Sequence, residues 1–97
     1  MNIKDLKAGL KGISVEEAEL VEKGPTREFV TAQGRRLHVS NSVIRDATGS
    51  VPISIWDADI EKVQVGDKVS VTNVIVKDFR GSPSISMVRG STIKVLP

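Results

Sequence analysis

The chain has 97 residues, no cysteine and one histidine, which indicates one domain and excludes disulfides, thiolate metal ligands and an ordinary zinc site. Lysine and arginine number 14 against 12 aspartates and glutamates, so the net charge of +2 neither favours nor excludes a nucleic-acid partner. No apolar run approaches the ~20 residues of a membrane-spanning helix and no signal peptide opens the sequence, so we expect an intracellular, cytoplasmic protein with no membrane partner.

The first third of the chain predicts a lead-in segment, a strand and a long connection. Residues 1–12 hold apolar side chains at helical spacing, which predicts a short lead-in helix or turn. A strand follows over residues 13–21, and its apolar positions change parity near Glu16, which indicates a bulge. Residues 23–34 are rich in turn formers. They form either a loop or the tip of an extended hairpin with Gly34 in its turn.

A second strand and a tight turn are predicted next. Residues 35–45 place aliphatic side chains on one parity and polar side chains on the other. The aliphatic members are Leu37, Val39 and Val43, and the polar members are Arg36, His38, Ser40 and Ser42. Asp46-Ala47-Thr48-Gly49 then has the chemistry of a hairpin loop, because an aspartate accepts backbone N–H bonds and glycine tolerates positive φ.

The third predicted strand carries the only tryptophan of the chain. Val51, Ile53 and Ile55 share one parity, whereas Trp56 shares the other with serine and proline. If the aliphatic side faces a core, Trp56 lies on a solvated face. An indole ring in that position is the strongest functional clue in the sequence.

The rest of the chain completes an all-β pattern. Residues 58–66 predict one or two helical turns or a loop, and residues 68–77 a fourth strand with a bulge near Asn73. Residues 84–88 and 93–96 form the last strand region. Five short strands with a short helix between the third and fourth predict one domain over residues 1–97, a five-stranded closed Greek-key barrel of the OB-fold type. An SH3-like barrel is the alternative architecture.

Several short motifs resemble the OB-fold single-stranded DNA-binding proteins of archaea, which include replication protein A-related chains and simple single-OB proteins. In chain order they are Leu6 to Gly9, Asp46-Ala47-Thr48-Gly49, Ile53-Ser54-Ile55-Trp56, Val65-Gly66-Asp67, Asp78-Phe79-Arg80-Gly81 and Val88-Arg89-Gly90-Ser91. The resemblance implies non-enzymatic, largely sequence-independent binding of single-stranded DNA in replication or repair, associated with the nucleoid. It also implies base stacking on Trp56 and Phe79.

The chain departs from this family pattern at two positions. Ile75 stands where simple single-OB proteins often carry an aromatic residue, and the last strand region has no aromatic residue at Ser84-Ile85-Ser86-Met87. These departures favour one module of a larger multi-OB protein or a weak binder. The alternatives are a protein-interaction module of a replication protein A-like assembly, with other OB-fold subunits or replication proteins as partners, and an RNA-binding domain.

The periodicity of the sequence supports a binding surface independently of the family resemblance. If Val74 and Val76 point to the core after the bulge, then Ile75, Lys77 and Phe79 point outward. Flat apolar surface mixed with positive charge is what single strands bind. The complete set of predicted nucleic-acid-binding residues is Trp56, Phe79, Arg80, Lys77, Ile75, Arg36, His38, Arg27, Phe29 and Arg89. No catalytic motif, cofactor fingerprint or metal-ligand set is recognised, so we expect neither catalysis nor a cofactor.

Overall fold

Six strands and one short helix make up the fold. A computed structural model describes all 97 residues. After a single 3-10 turn at Ile3–Asp5 come β1 (Ile13–Val30), β2 (Arg36–Asp46), β3 (Gly49–Trp56), α1 (Ala58–Lys62), β4 (Lys68–Phe79), β5 (Ser82–Ser86) and β6 (Thr92–Val95). Neither the 3-10 turn nor α1 has the length and apolar content that crossing a bilayer requires.

The strands close into a ring. They follow the order β1-β2-β3-β5-β4, and β4 pairs back to β1. Only the β3–β5 pairing is parallel, and α1 connects β3 to β4, as the OB-fold prediction requires. The prediction of a single last strand region was wrong in detail, because β5 and β6 are separate strands that pair with different stretches of β4. The chain leaves the sheet between them, where Gly90 adopts a φ of 90°.

The barrel interior is aliphatic, as the scarcity of aromatic residues implies. Val69 and Val71 are buried before the β4 bulge, and Val74 and Val76 are buried after it, although the two pairs differ in parity. Asn73 absorbs the extra residue with a φ of 55°, which confirms the predicted bulge. Because the parity changes there, Ile75, Lys77 and Phe79 point away from the core, as expected.

The first strand is longer than predicted. The register between β1 and β4 shifts between Val15 and Ala18, which confirms the bulge near Glu16. Of the two possibilities for residues 23–34, the hairpin is correct: β1 continues to Val30, and Gly34 N–H donates to the Thr31 carbonyl at 2.9 Å. Residues 27–38, called the arm below, therefore extend beyond the barrel as a two-stranded ribbon.

The polar parity of β2 faces inward. Ser40 and Ser42 are 0% and 2% exposed, whereas Leu37, Val39 and Val43 are half-buried on the outer side. The hydroxyl of Ser40 donates to the Gly24 carbonyl at 2.7 Å and lies 3.3 Å from the hydroxyl of Ser42, so both can be buried at low cost. Glycine at position 24 also lets the backbones of β1 and β2 approach closely there, because a Cβ on Gly24 would lie 2.4 Å from the Asn41 carbonyl oxygen.

One carboxylate organises the turn between β2 and β3. Asp46 accepts bonds from the N–H groups of Thr48 at 2.7 Å and Gly49 at 3.1 Å, as predicted, and from the Thr48 hydroxyl. It also accepts the N–H of Ile3 at 2.9 Å, which attaches the N-terminal turn to the barrel. Burial raises the pKa of Asp46, but these hydrogen bonds outweigh it and hold the pKa below its usual value.

Candidate nucleic-acid interface

The side of the β1-β2-β3-β5-β4 surface that faces away from the core is called the outer face below. Strand register sets its rows of side chains, because directly opposed residues point to the same side. Trp56 is opposite Val39, which is in turn opposite Arg27, so these three side chains form one row. The row ends at the arm, which places the tryptophan at the border between barrel and arm.

Trp56 has an aromatic partner in the arm. Phe29 is opposite Leu37 on the same side of the ribbon, and its ring centroid lies 6.0 Å from that of Trp56 at an interplanar angle of 85°. This edge-to-face geometry is a favourable one for aromatic pairs. Phe29 remains 51% exposed, so the pair presents apolar ring surface to solvent.

The residue after Trp56, Asp57, ends β3 and holds the backbone beside the indole ring in place. Asp57 has a φ of 50° and a ψ of −124°, a conformation that costs a non-glycine residue roughly 1–3 kcal/mol. Two hydrogen bonds of 2.9 Å to His38 hold it: Asp57 N–H donates to the His38 carbonyl, and the Asp57 carboxylate accepts the His38 N–H. The end of β3 is therefore locked to β2 immediately beside the indole ring.

A cavity of about 310 Å³ lies against Trp56. Its lining residues are Leu37, Trp56, Asp57, Asp59, Met87, Val88, Arg89 and Ser91. The segment that carries Arg89 is tied to the β4 bulge, because the Ser91 hydroxyl donates to the Asn73 carbonyl at 2.6 Å and accepts the Val88 N–H at 2.9 Å. The bulge that reverses the parity of β4 thus also positions Arg89 beside the tryptophan.

A second aromatic residue occupies the tip of the β4–β5 hairpin. Phe79 is opposite Ser82, and the two turn residues, Arg80 and Gly81, have φ values of 53° and 85°. Two central residues with positive φ are the mark of a type I′ turn. The Arg80 guanidinium carbon lies 5.4 Å from the centroid of the Phe79 ring, a cation–π contact, and the phenylalanine is 59% exposed.

The two aromatic sites are well separated along the sheet. Ser54 of β3 is level with Ser86 of β5, which is opposite Ile75 of β4. Trp56 lies two residues from this level in one direction, and Phe79 lies four residues from it in the other. At ~3.3 Å per residue the separation along the strands is roughly 20 Å. Ile75, Lys77 and serine side chains occupy the outer face between the two rings.

Unpaired positive charge surrounds both sites. Arg27, Lys77, Arg80 and Arg89 make no ion pair, as the four ion pairs of the chain all involve other groups. Arg45, opposite Ser50 on the outer face, also makes none, and it is not among the predicted binding residues. Its signal was present in the sequence, because Arg45 shares the parity of Val39 and Val43 on β2.

Arg36 and His38 are not brought to this surface. They share the parity of the buried serines of β2, so they project from the opposite side of the arm to Phe29. There Arg36 Nε lies 3.7 Å from a carboxylate oxygen of Glu28, and His38 lines a separate cavity next to α1. The prediction that they belong to the binding surface does not fit this arrangement, because Ser40 and Ser42 face inward and set the orientation of the whole strand.

The comparisons with known proteins agree with this architecture. Residues 8–95 match the family model described as single-stranded DNA binding protein Ssb-like, OB fold. Replication factor A of Methanothermobacter thermautotrophicus is 30% identical over a region that covers 82% of this chain and 10% of that protein. The chain thus spans about a tenth of the length of this curated relative.

Solved structures give the same result. The replication factor A related protein from Methanobacterium thermoautotrophicum has a TM-score of 0.82 and 26% identity, covering 99% of this chain and 89% of that one. The second OB-fold domain of replication protein A from Methanococcus maripaludis has a TM-score of 0.81 and 25% identity, covering 99% and 93%. The chain belongs to the Ssb-like OB-fold family of single-stranded DNA-binding proteins.

Proposed function

We propose that this domain binds single-stranded DNA, without catalysing a reaction and largely without regard to sequence. Bases stack on Trp56 and Phe79, and Phe29 closes over the tryptophan from the arm. The unpaired cations of the outer face contact the phosphates. The domain acts in DNA replication or repair at the nucleoid, as one module of a larger multi-OB protein.

The observation that carries the proposal is the Phe29–Trp56 pair, whose phenylalanine is exposed, beside Arg27 and Arg89. Leaving the Phe29 side chain 51% exposed does not stabilise the fold, whereas a base that stacks on an aromatic ring contributes ~1–3 kcal/mol. Arginines without carboxylate partners are free to neutralise phosphates. The family to which the chain belongs supports the same activity.

A titration with oligo-dT of about 25 nucleotides tests the proposal, because this length spans more than one OB-fold site. Intrinsic fluorescence reports on one site, since Trp56 is the only tryptophan. We expect saturable quenching, with an affinity that falls as salt rises, because phosphate contacts release counterions. Unchanged fluorescence, together with no complex by anisotropy of a labelled oligonucleotide, would contradict strand binding by this domain.

A second candidate function is assembly with other OB-fold subunits. The observation in its favour is the break between the two aromatic sites, where Ile75 and Ser86 offer no ring. If the titration shows no complex, mixing the domain with purified OB-fold subunits of its own replication machinery and measuring the mass of the product tests this alternative. Oligo-U in place of oligo-dT decides whether RNA is also bound.

A further inference from the structure

The cavity against Trp56 carries charged groups that a plain stacking surface does not need. We propose that it accepts a single base with an exocyclic amino group, cytosine being the clearest case, in preference to thymine. This inference rests on the proposed function and refines it. It names a base preference at one position of a surface that otherwise follows the backbone of the strand.

The apolar walls suit a flat ring. Trp56 forms one side of the cavity, and Leu37, Met87 and Val88 contribute the other apolar surface. Its volume of about 310 Å³ is at the lower end of the range for small-ligand pockets, and apolar walls with a few convergent polar groups are their usual composition. The cavity thus has room for one base and its immediate surroundings.

The charged groups of the cavity are two carboxylates and a guanidinium. In Asp57, Oδ1 accepts the His38 N–H, and in Asp59, Oδ1 lies 3.3 Å from Lys62 Nζ. The Oδ2 atom of each has no partner within the chain. An ionised carboxylate only accepts hydrogen bonds, and it repels a phosphate. The strand must therefore insert a base here and keep its backbone outside.

The chemistry of the base edge then decides the preference. Cytosine offers the N4 amino group, whose recognition by aspartate or glutamate is a known pairing. Thymine has O4 at the position of that amino group, so an acceptor would face an acceptor. Adenine and guanine also carry an amino group, and they share the advantage over thymine.

Affinities for labelled oligo-dC and oligo-dT of equal length test the inference by fluorescence anisotropy, at mildly alkaline pH so that cytosine stays unprotonated. We expect oligo-dC to bind about fivefold more tightly or better, the lower end of what a specific base contact discriminates. The ratio should persist as salt rises while both affinities fall, because it arises from hydrogen bonds. A ratio that disappears at higher salt would overturn the inference.

Variants locate the source of the ratio. Asp59→Asn and Asp57→Asn each add an amide donor for O4 of thymine, so each should move the ratio towards one. Asp57→Asn keeps an acceptor for the His38 N–H. The matched control is Asp5→Asn in the N-terminal 3-10 turn, which removes the same charge far from the cavity and should leave the ratio unchanged.

The outcomes separate this inference from the proposed function. Equal affinities for oligo-dC and oligo-dT, with quenching of Trp56 by both, would overturn the base preference and leave strand binding intact. A ratio that neither aspartate variant alters would also overturn it. Binding to neither oligonucleotide would overturn both proposals.

Discussion

The outer face has two aromatic ends that are built differently. At the Trp56 end, the ring is packed against Phe29, the following residue is locked to His38, and a cavity with Arg89 lies alongside. At the other end, Phe79 is the last residue of β4 before a two-residue hairpin turn, and the Arg80 guanidinium lies over its ring. One end is a preorganised site on a supported strand, and the other is a single ring on a hairpin tip.

The difference teaches where binding energy should concentrate. A ring whose position is fixed before binding loses little conformational freedom when a base stacks on it, whereas a hairpin tip must be ordered at the same time. We therefore expect the Trp56 end to dominate affinity. The Phe79 end should extend the site along the strand.

The largest expected effect comes from Trp56→Ala. Loss of the ring removes a stacked base and the partner of Phe29, so affinity for oligo-dT should fall roughly tenfold to a hundredfold, from ~1–3 kcal/mol per stacked base. Anisotropy of a labelled oligonucleotide measures it, since the variant has no tryptophan. Thermal unfolding by circular dichroism is the control. A variant that unfolds instead would assign Trp56 a structural role.

Phe79→Ala should have a smaller effect. We expect about a fivefold loss of affinity, near the lower limit for one stacked base, because the ring sits on a less supported element. Val65→Ala is the matched control, because Val65 is 60% exposed in the connection between α1 and β4. A loss larger than that of Trp56→Ala would reverse the order of the two ends.

Exchange of single arginines should change the salt dependence more than the affinity. Arg89→Gln removes an unpaired cation beside Trp56, and the slope of log affinity against log salt should become shallower by about 0.7, the value for one phosphate on a single strand. Arg36→Gln is the control, since Arg36 pairs with Glu28 on the other side of the arm. Equal changes in both variants would contradict the observed division of the two faces.

The smallest effect on binding is expected from Asp46→Ala, which leaves both ends intact. The variant should lose about 1–2 kcal/mol of unfolding free energy, because several N–H groups and the Thr48 hydroxyl lose an acceptor at a partly exposed site. Denaturant unfolding measures this loss. Affinity for oligo-dT should stay within a factor of about two.

The same carboxylate predicts a pH dependence. The pKa of Asp46 is lowered in the folded state, so its stabilisation is complete above the pKa of the unfolded chain and is lost as pH falls through the folded value. The wild type should therefore lose more unfolding free energy on acidification than Asp46→Ala does. Parallel pH profiles for the two proteins would contradict this assignment.

Much of the fold was predictable because local chemistry decided it. The Asp46 turn, the inward parities on both sides of Asn73 and the short helix after β3 all follow from side chains close in sequence. The orientation of β2 was not predictable in the same way. Ser40 and Ser42 look like surface residues until the Gly24 carbonyl, 16 residues away from Ser40, is known to accept a hydrogen bond.

The candidate site shows the same division. Periodicity identified Trp56, Ile75, Lys77 and Phe79 as outward-facing, because each belongs to a strand whose alternation is clear. It could not give the pairing of Phe29 with Trp56, which depends on a hairpin register that two bulges in β1 set. Arg36 and His38 were predicted for the binding surface because the inward orientation of the β2 serines could not be foreseen, and Arg45, which faces outward, was not predicted at all.

The position of Gly24 sets a limit on how the hairpin between β1 and β2 can vary. A methyl group there would collide with the Asn41 carbonyl, so this position at the root of the ribbon accepts no side chain. At the turn of residues 31–35 the surrounding space is open, because a Cβ on Gly34 would meet nothing within 4 Å, although the φ of 81° favours glycine at that one position. Insertions at the tip could therefore change the reach of the arm, and with it the number of nucleotides covered, while the barrel beneath stays the same.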